Sequence, residues 1–321
     1  MNFVQFAEAV KRGLEAYFEE GTQVTINSVR KNNGVVLTGV VIMEKDSRIA
    51  PTIYLESFFE EYKSGRTLGE VIRKLVRFYV KNKISDCGEL DNFHDYSAVS
   101  GKILYKLINA EKNKELLKEV PYVPYLDLAI VFYYDCSSKM FGSAAVLIKN
   151  AHLKMWGITV ERVYQDAVVN TPKNNPFEIK TMENVMKELF ASDIRKELER
   201  NHVSFSEGWV EEMATQMLSA EMPEERRTPM YILTNTEKLH GAACILYQQL
   251  LEEFAKKVND NLYILPSSVH EIIMIPASFA GKASELRQMV EEINATQVEE
   301  EEVLSDSVYF FNRLTRKLEM A

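Results

Sequence analysis

An Asn33-Gly34 pair lies between two runs rich in β-branched and other apolar residues, and it constrains the fold more than any other short segment. The runs are residues 22–30 and 35–43. Asn and Gly both accept a positive φ, which the tight turns between antiparallel strands require. The pair therefore predicts a β-hairpin. Residues 35–41 are apolar on both faces, which predicts a central strand.

Helical and extended patterns alternate along the rest of the chain. Apolar residues at spacings of three and four predict a helix over residues 3–18. Thr67 and Glu70 have the spacing of a capping box that opens another helix. A second hairpin is predicted from 126–134 and 141–149, and residues 85–120 look mostly helical. The fold class is therefore α+β, with mixed or antiparallel sheets and hairpins packed by amphipathic helices.

The length of 321 residues indicates about two domains at the usual ~150 residues each. Pro121 and Pro124 bracket a connector between helical and strand-rich segments. We therefore divide the chain into an N-terminal helix, hairpin and helical module over 1–120 and a C-terminal α+β module over 121–321.

Charge and cysteine content exclude several classes of protein. The net charge of −9 repels phosphate backbones and disfavours a nucleic-acid partner. Cys87, Cys136 and Cys244 are far apart and form no Cys-x-x-Cys pair, so neither a disulfide framework nor a zinc ribbon is expected. The most apolar window, residues 128–134, is far shorter than the ~20 residues of a membrane span. We expect a soluble cytoplasmic protein with no cofactor, no metal and no membrane association.

Five strings of the sequence are familiar in combination. They are KNNG at 31–34, PTIYL at 51–55, YLDLAIVF at 125–132, LPSSVHE at 265–271 and VLSDSVY at 303–309. With them the chain resembles, over nearly its whole length, a family of uncharacterised bacterial proteins carried mainly by gut Firmicutes and often by mobile elements. The resemblance implies a bacterial, cytoplasmic context and brings no catalytic residues with it.

The strongest polar cluster lies between two predicted strands. It consists of Ser267, Ser268, His270 and Glu271, and loops at strand ends often hold functional groups. A hydroxyl, an imidazole and a carboxylate can act as nucleophile, base and orienting group. The same spacing also fits a structural role, because Ser268 and Glu271 have capping-box spacing and Ser267 can bond its own turn.

A second candidate follows another predicted strand. Asn235, His240 and Gly241 precede a predicted helix over 241–258, whose free N–H groups could hold an anion. The competing explanation is close packing of the small residue against a sheet. Asp127 is a further ligand-binding candidate, because it is a carboxylate in an otherwise apolar predicted strand and needs a partner there. If the loops at 235–241 and 267–271 share a sheet edge, they form one polar pocket.

The sequence as a whole favours a cytoplasmic accessory or interaction protein of bacterial mobile-element context, without catalytic chemistry of its own. The alternative is a hydrolase-type enzyme or a small-ligand-binding protein that uses the 267–271 loop. The partner is accordingly a protein or a small ligand.

The C-terminal segment carries apolar residues whose exposure to water would be unfavourable. Leu304, Val308, Tyr309 and Phe311 follow an acidic run at 299–302. We therefore expect the chain to return to the body of the protein after Glu302, with a final strand near 308–311.

Overall fold

The computed structural model describes residues 1–18, 21–45, 50–82, 92–136, 145–222 and 228–321. The N-terminal part forms an antiparallel sheet covered by helices. Its elements are α1 (Phe3–Glu15), β1 (Gln23–Arg30), β2 (Val36–Met43), β3 (Thr52–Tyr54), α2 (Glu56–Lys63) and α3 (Leu68–Asn82). The sheet order is β1-β2-β3, so the predicted hairpin and its central strand are confirmed. Asn33 at φ 57° and Gly34 at φ 75° make the turn.

Local signals account for the helices of this part. The apolar face of α1 joins β2 in one buried cluster that includes Phe6, Val10, Val40 and Ile42. The predicted capping box at Thr67 is present as well. The Glu70 carboxylate accepts from the Thr67 N–H at 2.8 Å, and the Thr67 hydroxyl accepts from the N–H of that glutamate at 3.3 Å.

The second sheet is again antiparallel, and a short helix precedes its first strand. Its elements and neighbours are α4 (Tyr96–Val99), β4 (Ile103–Asn109), α5 (Lys114–Leu117), β5 (Tyr122–Tyr125), β6 (Leu128–Asp135) and β7 (Ala145–Leu147). β6 pairs with β4 along one edge and with β5 and then β7 along the other. The predicted pairing of the segments at 126–134 and 141–149 is confirmed. Its expected turn at 137–139 lies outside the described residues.

The helical prediction for residues 85–120 is wrong over β4. This strand is buried on both faces apart from Lys106, so it lacks the two-residue alternation that marks a half-exposed strand. Asp127 also lies in the turn before β6 rather than inside a strand. Because β4 pairs with β6, one sheet has strands on both sides of residue 120. The division into modules at 120 stays a prediction.

The third sheet has six strands, all paired antiparallel, in the order β13-β12-β10-β11-β9-β8. The remaining elements are α6 (Asn150–Trp156), α7 (Val160–Asn174), β8 (Phe177–Thr181), α8 (Met182–Arg200), α9 (Glu207–Glu221), β9 (Tyr231–Asn235), α10 (Leu250–Val258), β10 (Leu262–Leu265), β11 (Ile272–Pro276), α11 (Ala283–Thr296), β12 (Tyr309–Asn312) and β13 (Lys317–Met320). The α+β class with antiparallel sheets is confirmed.

Two helix boundaries differ from the sequence pattern. α7 continues through Pro172, because the carbonyl that loses its partner belongs to Val168 on the exposed side of the helix. The predicted helix over 241–258 is divided into a 3-10 helix (Gly241–Leu246) and α10, because Gln249 has a φ of 63° that a regular helix does not accommodate.

The main core lies between the second and third sheets, and the C-terminal segment contributes to it. Leu304, Tyr309 and Phe311 belong to this buried cluster, and Val308 packs with α11 on the opposite face of the third sheet. The chain therefore does return after the acidic run, and β12 pairs with β10. Within the described residues, no helix is both long and apolar enough to cross a membrane.

Candidate functional site

A cavity of about 410 Å³ lies where four parts of the chain meet. These parts are the end of β1, the outer face of the second sheet, the two loops at 239–240 and 269–270, and the acidic segment at 301–302. One wall is apolar and is made by Ile108, Leu116, Val131 and Leu147. The opposing walls carry cationic, imidazole and carboxylate groups.

Lys106 of β4 lies on the apolar wall. It lies opposite Val131 in the register of β4 and β6, and its neighbours Tyr105 and Leu107 belong to the main core. Successive side chains of a strand point to opposite faces, so Lys106 points away from that core and toward the cavity. Within the described chain, its amine forms no hydrogen bond and no ion pair. Burial and the nearby charge of Lys31 lower the pKa of the Lys106 amine to about 8.

Two further cations line the cavity at the end of β1. The Lys31 amine lies 4.4 Å above the centre of the Tyr54 ring, a cation–π contact that leaves its hydrogen-bond donors available. Arg30 is the second cation. Among the residues that the structure describes, neither forms an ion pair with a carboxylate. Within the described residues, the cavity therefore contains three cationic side chains that have no carboxylate partner.

The two loops singled out in the sequence meet at this cavity. The rings of His240 and His270 are stacked, with centroids 5.9 Å apart and planes 9° from parallel. The backbone N–H of His240 donates to Nδ1 of His270 at 3.3 Å, and Nε2 of His270 lies 3.4 Å from a carboxylate oxygen of Glu302. Because Nδ1 accepts, the neutral His270 ring carries its proton on Nε2, facing Glu302.

His240 stays neutral at physiological pH. Burial, with the charges of Lys106 and His270, lowers the pKa of His240 to about 2. Its Nδ1 is buried and has no hydrogen-bond partner in the described part of the chain. In that same part, no three His, Cys, Asp or Glu side chains are grouped so that they could hold a metal ion.

The serines and Glu271 are not assembled around His270 as a nucleophile and an orienting group. The Ser268 hydroxyl accepts from the His270 N–H at 3.1 Å, which closes a turn. Ser267 contributes its carbonyl, which accepts from Leu304 N–H at 2.8 Å. Glu271 is exposed, and desolvation raises the pKa of its carboxyl. The carboxylate beside the imidazole is instead that of Glu302, which no local spacing in the sequence indicates.

The other predicted site residues have structural contacts. The Asn235 side chain donates to the Leu239 carbonyl at 2.8 Å and accepts from its N–H at 3.3 Å, which shapes the loop before His240. Gly241 packs tightly against β9, and the helix it begins is a six-residue 3-10 helix.

Asp127 lies away from the cavity lining and ties the C-terminal segment to the turn before β6. Its carboxylate accepts from the Ser305 hydroxyl at 2.5 Å and from the Tyr309 hydroxyl. The partners that this carboxylate needs are thus two side-chain hydroxyls. These hydroxyls lie far along the sequence, where a local pattern does not indicate them.

Asparagines hold the acidic segment against the cavity. The Asn33 amide donates to the carbonyls of Glu300 at 2.8 Å and Val303 at 2.6 Å, and its oxygen accepts from Asn113 at 2.9 Å. Asn32 donates to the Glu301 carbonyl at 2.7 Å. The tip of the first hairpin therefore holds the backbone of the segment whose Glu301 and Glu302 line the cavity.

Substitution Asn33→Asp is expected to lower the free energy of unfolding by about 2–4 kcal/mol, because a carboxylate oxygen would face two carbonyl oxygens. Asp tolerates the left-handed turn as Asn does, so the change isolates the lost donors. Urea unfolding measures the effect. Asn27→Asp on the exposed face of β1 adds the same charge and is expected to cost less than about 0.5 kcal/mol. Equal losses in the two variants would contradict the role given to Asn33.

Comparison with known proteins places the chain in a family without assigning it an activity. No curated protein and no solved structure matches it. The resemblance seen in the sequence is confirmed as membership of an uncharacterised family, while its bacterial and mobile-element context stays a prediction. The chain belongs to DUF5688, a family of unknown function whose model matches residues 3–313.

Proposed function

We propose that the cavity binds a small organic anion and that Lys106 anchors it. The observation that carries this proposal is a lysine amine on an apolar cavity wall that has no partner in the described part of the chain. A buried charge without a partner is costly, so such groups normally pair with an opposite charge. A bound carboxylate or phosphate would supply the charge that the protein does not.

The other charges of the cavity support an anion rather than a cation. Arg30 and Lys31 add two positive charges beside Lys106. Glu301 and Glu302 also line the cavity, but neither forms an ion pair with these three cations, and Glu302 faces His270. An incoming anion would therefore meet three cationic groups that form no direct ion pair within the described residues.

The apolar wall indicates that the anion has a hydrocarbon portion. Ile108, Val131 and Leu147 would contact such a portion, whereas they offer nothing to a bare inorganic ion. A volume of about 410 Å³ also falls in the range of roughly 300–1,000 Å³ that small-molecule sites occupy.

This proposal develops the small-ligand alternative that the sequence left open. It uses the 267–271 loop through His270, while the two serines of that loop are engaged in backbone contacts. The accessory or interaction role and the cytoplasmic location stay predictions beside it.

Stability should depend on pH through Lys106. Its pKa in the folded protein is about 8 against an ordinary 10.5, so the unfolded chain binds more protons between these values. Stability therefore rises as pH increases from about 8 to 10.5, and the cost of the buried charge is fully present below pH 8. We expect Lys106→Met to raise the free energy of unfolding by about 1–3 kcal/mol at pH 7 and to abolish this rise.

Urea unfolding at pH 7 and pH 9.5 checks this expectation. The exposed Lys118, whose amine pairs with Glu115 on the surface, provides the matched control Lys118→Met. That variant should keep the pH dependence of the wild type. The expectation would be wrong if Lys106→Met were less stable than the wild type at pH 7, or if its stability still rose between the two pH values. Either result would show that the Lys106 amine is not a desolvated charge.

Calorimetric titration tests binding directly. The probes are 2-hydroxybutanoate, butyl phosphate and neutral butanamide, so the carboxylate and phosphate sources of the anion are separated. We expect one of the two anions to bind at pH 7, with affinity falling up to about tenfold per pH unit above pH 8 as Lys106 loses its proton. Lys106→Met should lose this binding, and Lys118→Met should keep it. Equal binding of butanamide, or no binding of either anion, would overturn the proposal.

A further inference from the structure

We propose that Lys106 forms an imine with a 2-oxo acid bound in this cavity. This inference rests on the proposed anion site and names the class of ligand that it takes. The reactive group would be the Lys106 amine, and the ligand would carry a ketone next to its carboxylate.

The placement of Lys106 suits a nucleophile. Its strand is held on both sides of the residue by Tyr105 and Leu107 in the main core, so the base of the side chain is fixed. The amine has no hydrogen-bond partner within the described residues that would occupy its lone pair or hold its protons. Lysines that form imines with carbonyl compounds typically lie in apolar surroundings or beside another cation, because both favour the neutral, nucleophilic amine. Lys31 is that neighbouring cation.

The surrounding groups match the parts of a 2-oxo acid. Arg30 and Lys31 line the cavity together with Lys106, so a carboxylate held among these three cations would bring its adjacent ketone close to the Lys106 amine. Ile108, Val131 and Leu147 can receive a short apolar side chain on the other side of the ketone. A simple carboxylate would pair with the three cations, Lys106 included, but a ketone next to it would also offer a carbon with which the neutral Lys106 amine can react.

The covalent step is an addition followed by loss of water. The nitrogen lone pair of neutral Lys106 attacks the ketone carbon, a C–N bond forms, and the proton lost by nitrogen goes to the former carbonyl oxygen. The carbinolamine then breaks its C–O bond, the hydroxyl leaves with a second proton as water, and C=N remains. His270 and Glu302 line the same cavity and can transfer these protons. No oxidant or reductant takes part.

Reductive trapping tests the inference. Full-length protein is incubated with 2-oxobutanoate and cyanoborohydride, which reduces an imine to a stable secondary amine, and the modified residue is located by peptide mass mapping. We expect modification at Lys106 at least about tenfold faster than at any other lysine. Lys118→Met should be modified like the wild type. Lys106→Arg should keep binding 2-hydroxybutanoate, because it retains the charge, and should not be modified.

The outcomes separate this inference from the anion site. If 2-hydroxybutanoate binds but no adduct forms at Lys106, the imine is wrong and the anion site stands. Modification spread evenly over exposed lysines such as Lys114 and Lys118 would also overturn the imine. If neither 2-hydroxybutanoate nor butyl phosphate binds and no modification occurs, both proposals are wrong. Circular dichroism of each variant confirms that it is folded before these results are compared.

Discussion

Removal of residues 303–321 is expected to unfold the protein. Leu304, Val308 and Tyr309 are fully buried and Phe311 is 5% exposed, so the segment supplies core rather than surface. Burial of four such side chains is worth roughly 6–10 kcal/mol, which is comparable to the whole net stability of a domain. The truncated chain would also expose β10, which loses β12 as its neighbour. Circular dichroism and solubility should show an unfolded or aggregated product.

A shorter deletion provides the control. Removal of residues 313–321 takes away β13, which lies at the edge of the third sheet and is mostly exposed. It leaves the buried residues of the longer segment and both hydroxyls that bond Asp127. We expect this protein to stay folded, with a loss of about 1–2 kcal/mol. A melting temperature of the longer deletion close to that of the full chain would show that the segment does not stabilise the core.

Gly241→Ala is expected to cost about 3–4 kcal/mol of stability and to abolish the anion binding that we propose. A Cβ at this position would lie 2.8 Å from the backbone nitrogen of Asn235 and closer still to the Thr234 hydroxyl and the His270 carbonyl oxygen. Two of these atoms belong to the backbone, so they cannot rotate away. The hydrogen bond from the Thr234 hydroxyl to the His270 carbonyl, 2.8 Å long, would also be disturbed. Because this contact joins the end of β9, which leads into the His240 loop, to the His270 loop, the cavity would change shape.

Gly208→Ala is the matched comparison. Gly208 lies near the start of α9, and a Cβ there would meet no atom within 4 Å. Alanine in that helix should raise stability by about 0.5–1 kcal/mol, because it restricts the unfolded chain. Urea unfolding of both variants, with the calorimetric titration described above, measures the two effects. A Gly241→Ala protein as stable as the wild type would show that the backbone around β9 can yield to an added methyl group.

Local sequence signals identified much of the fold because their physical causes are local. The turn at Asn33-Gly34 depends on two residues that accept a positive φ, and the capping box at Thr67 depends on one residue three positions later. By contrast, β4 was missed because it is buried on both faces and therefore lacks the alternation of a half-exposed strand. Its pairing with β6 forms only when the sheet folds, so no local pattern indicates it.

The residues of the candidate site also fall into two groups, those that the sequence indicated and those that it did not. His240 and His270 were found because polar residues that follow strands are conspicuous in the sequence. Lys106, Lys31 and Glu302 were missed, because a lysine inside an apolar run or a glutamate inside an acidic run has no pattern that marks it as a cavity residue. The cavity forms where strands and loops from distant parts of the chain pack together.

The sequence by itself determined the α+β class, the first hairpin, the return of the C-terminal segment to the core and the family. These follow from backbone preferences and from the burial of apolar side chains. Only the tertiary structure decided that the acidic segment lies beside His270 and that the Lys106 amine has no partner among the described residues. The physical reason is that the state of a charged side chain depends on its burial and on the charges around it. Both are set by packing between segments distant in sequence.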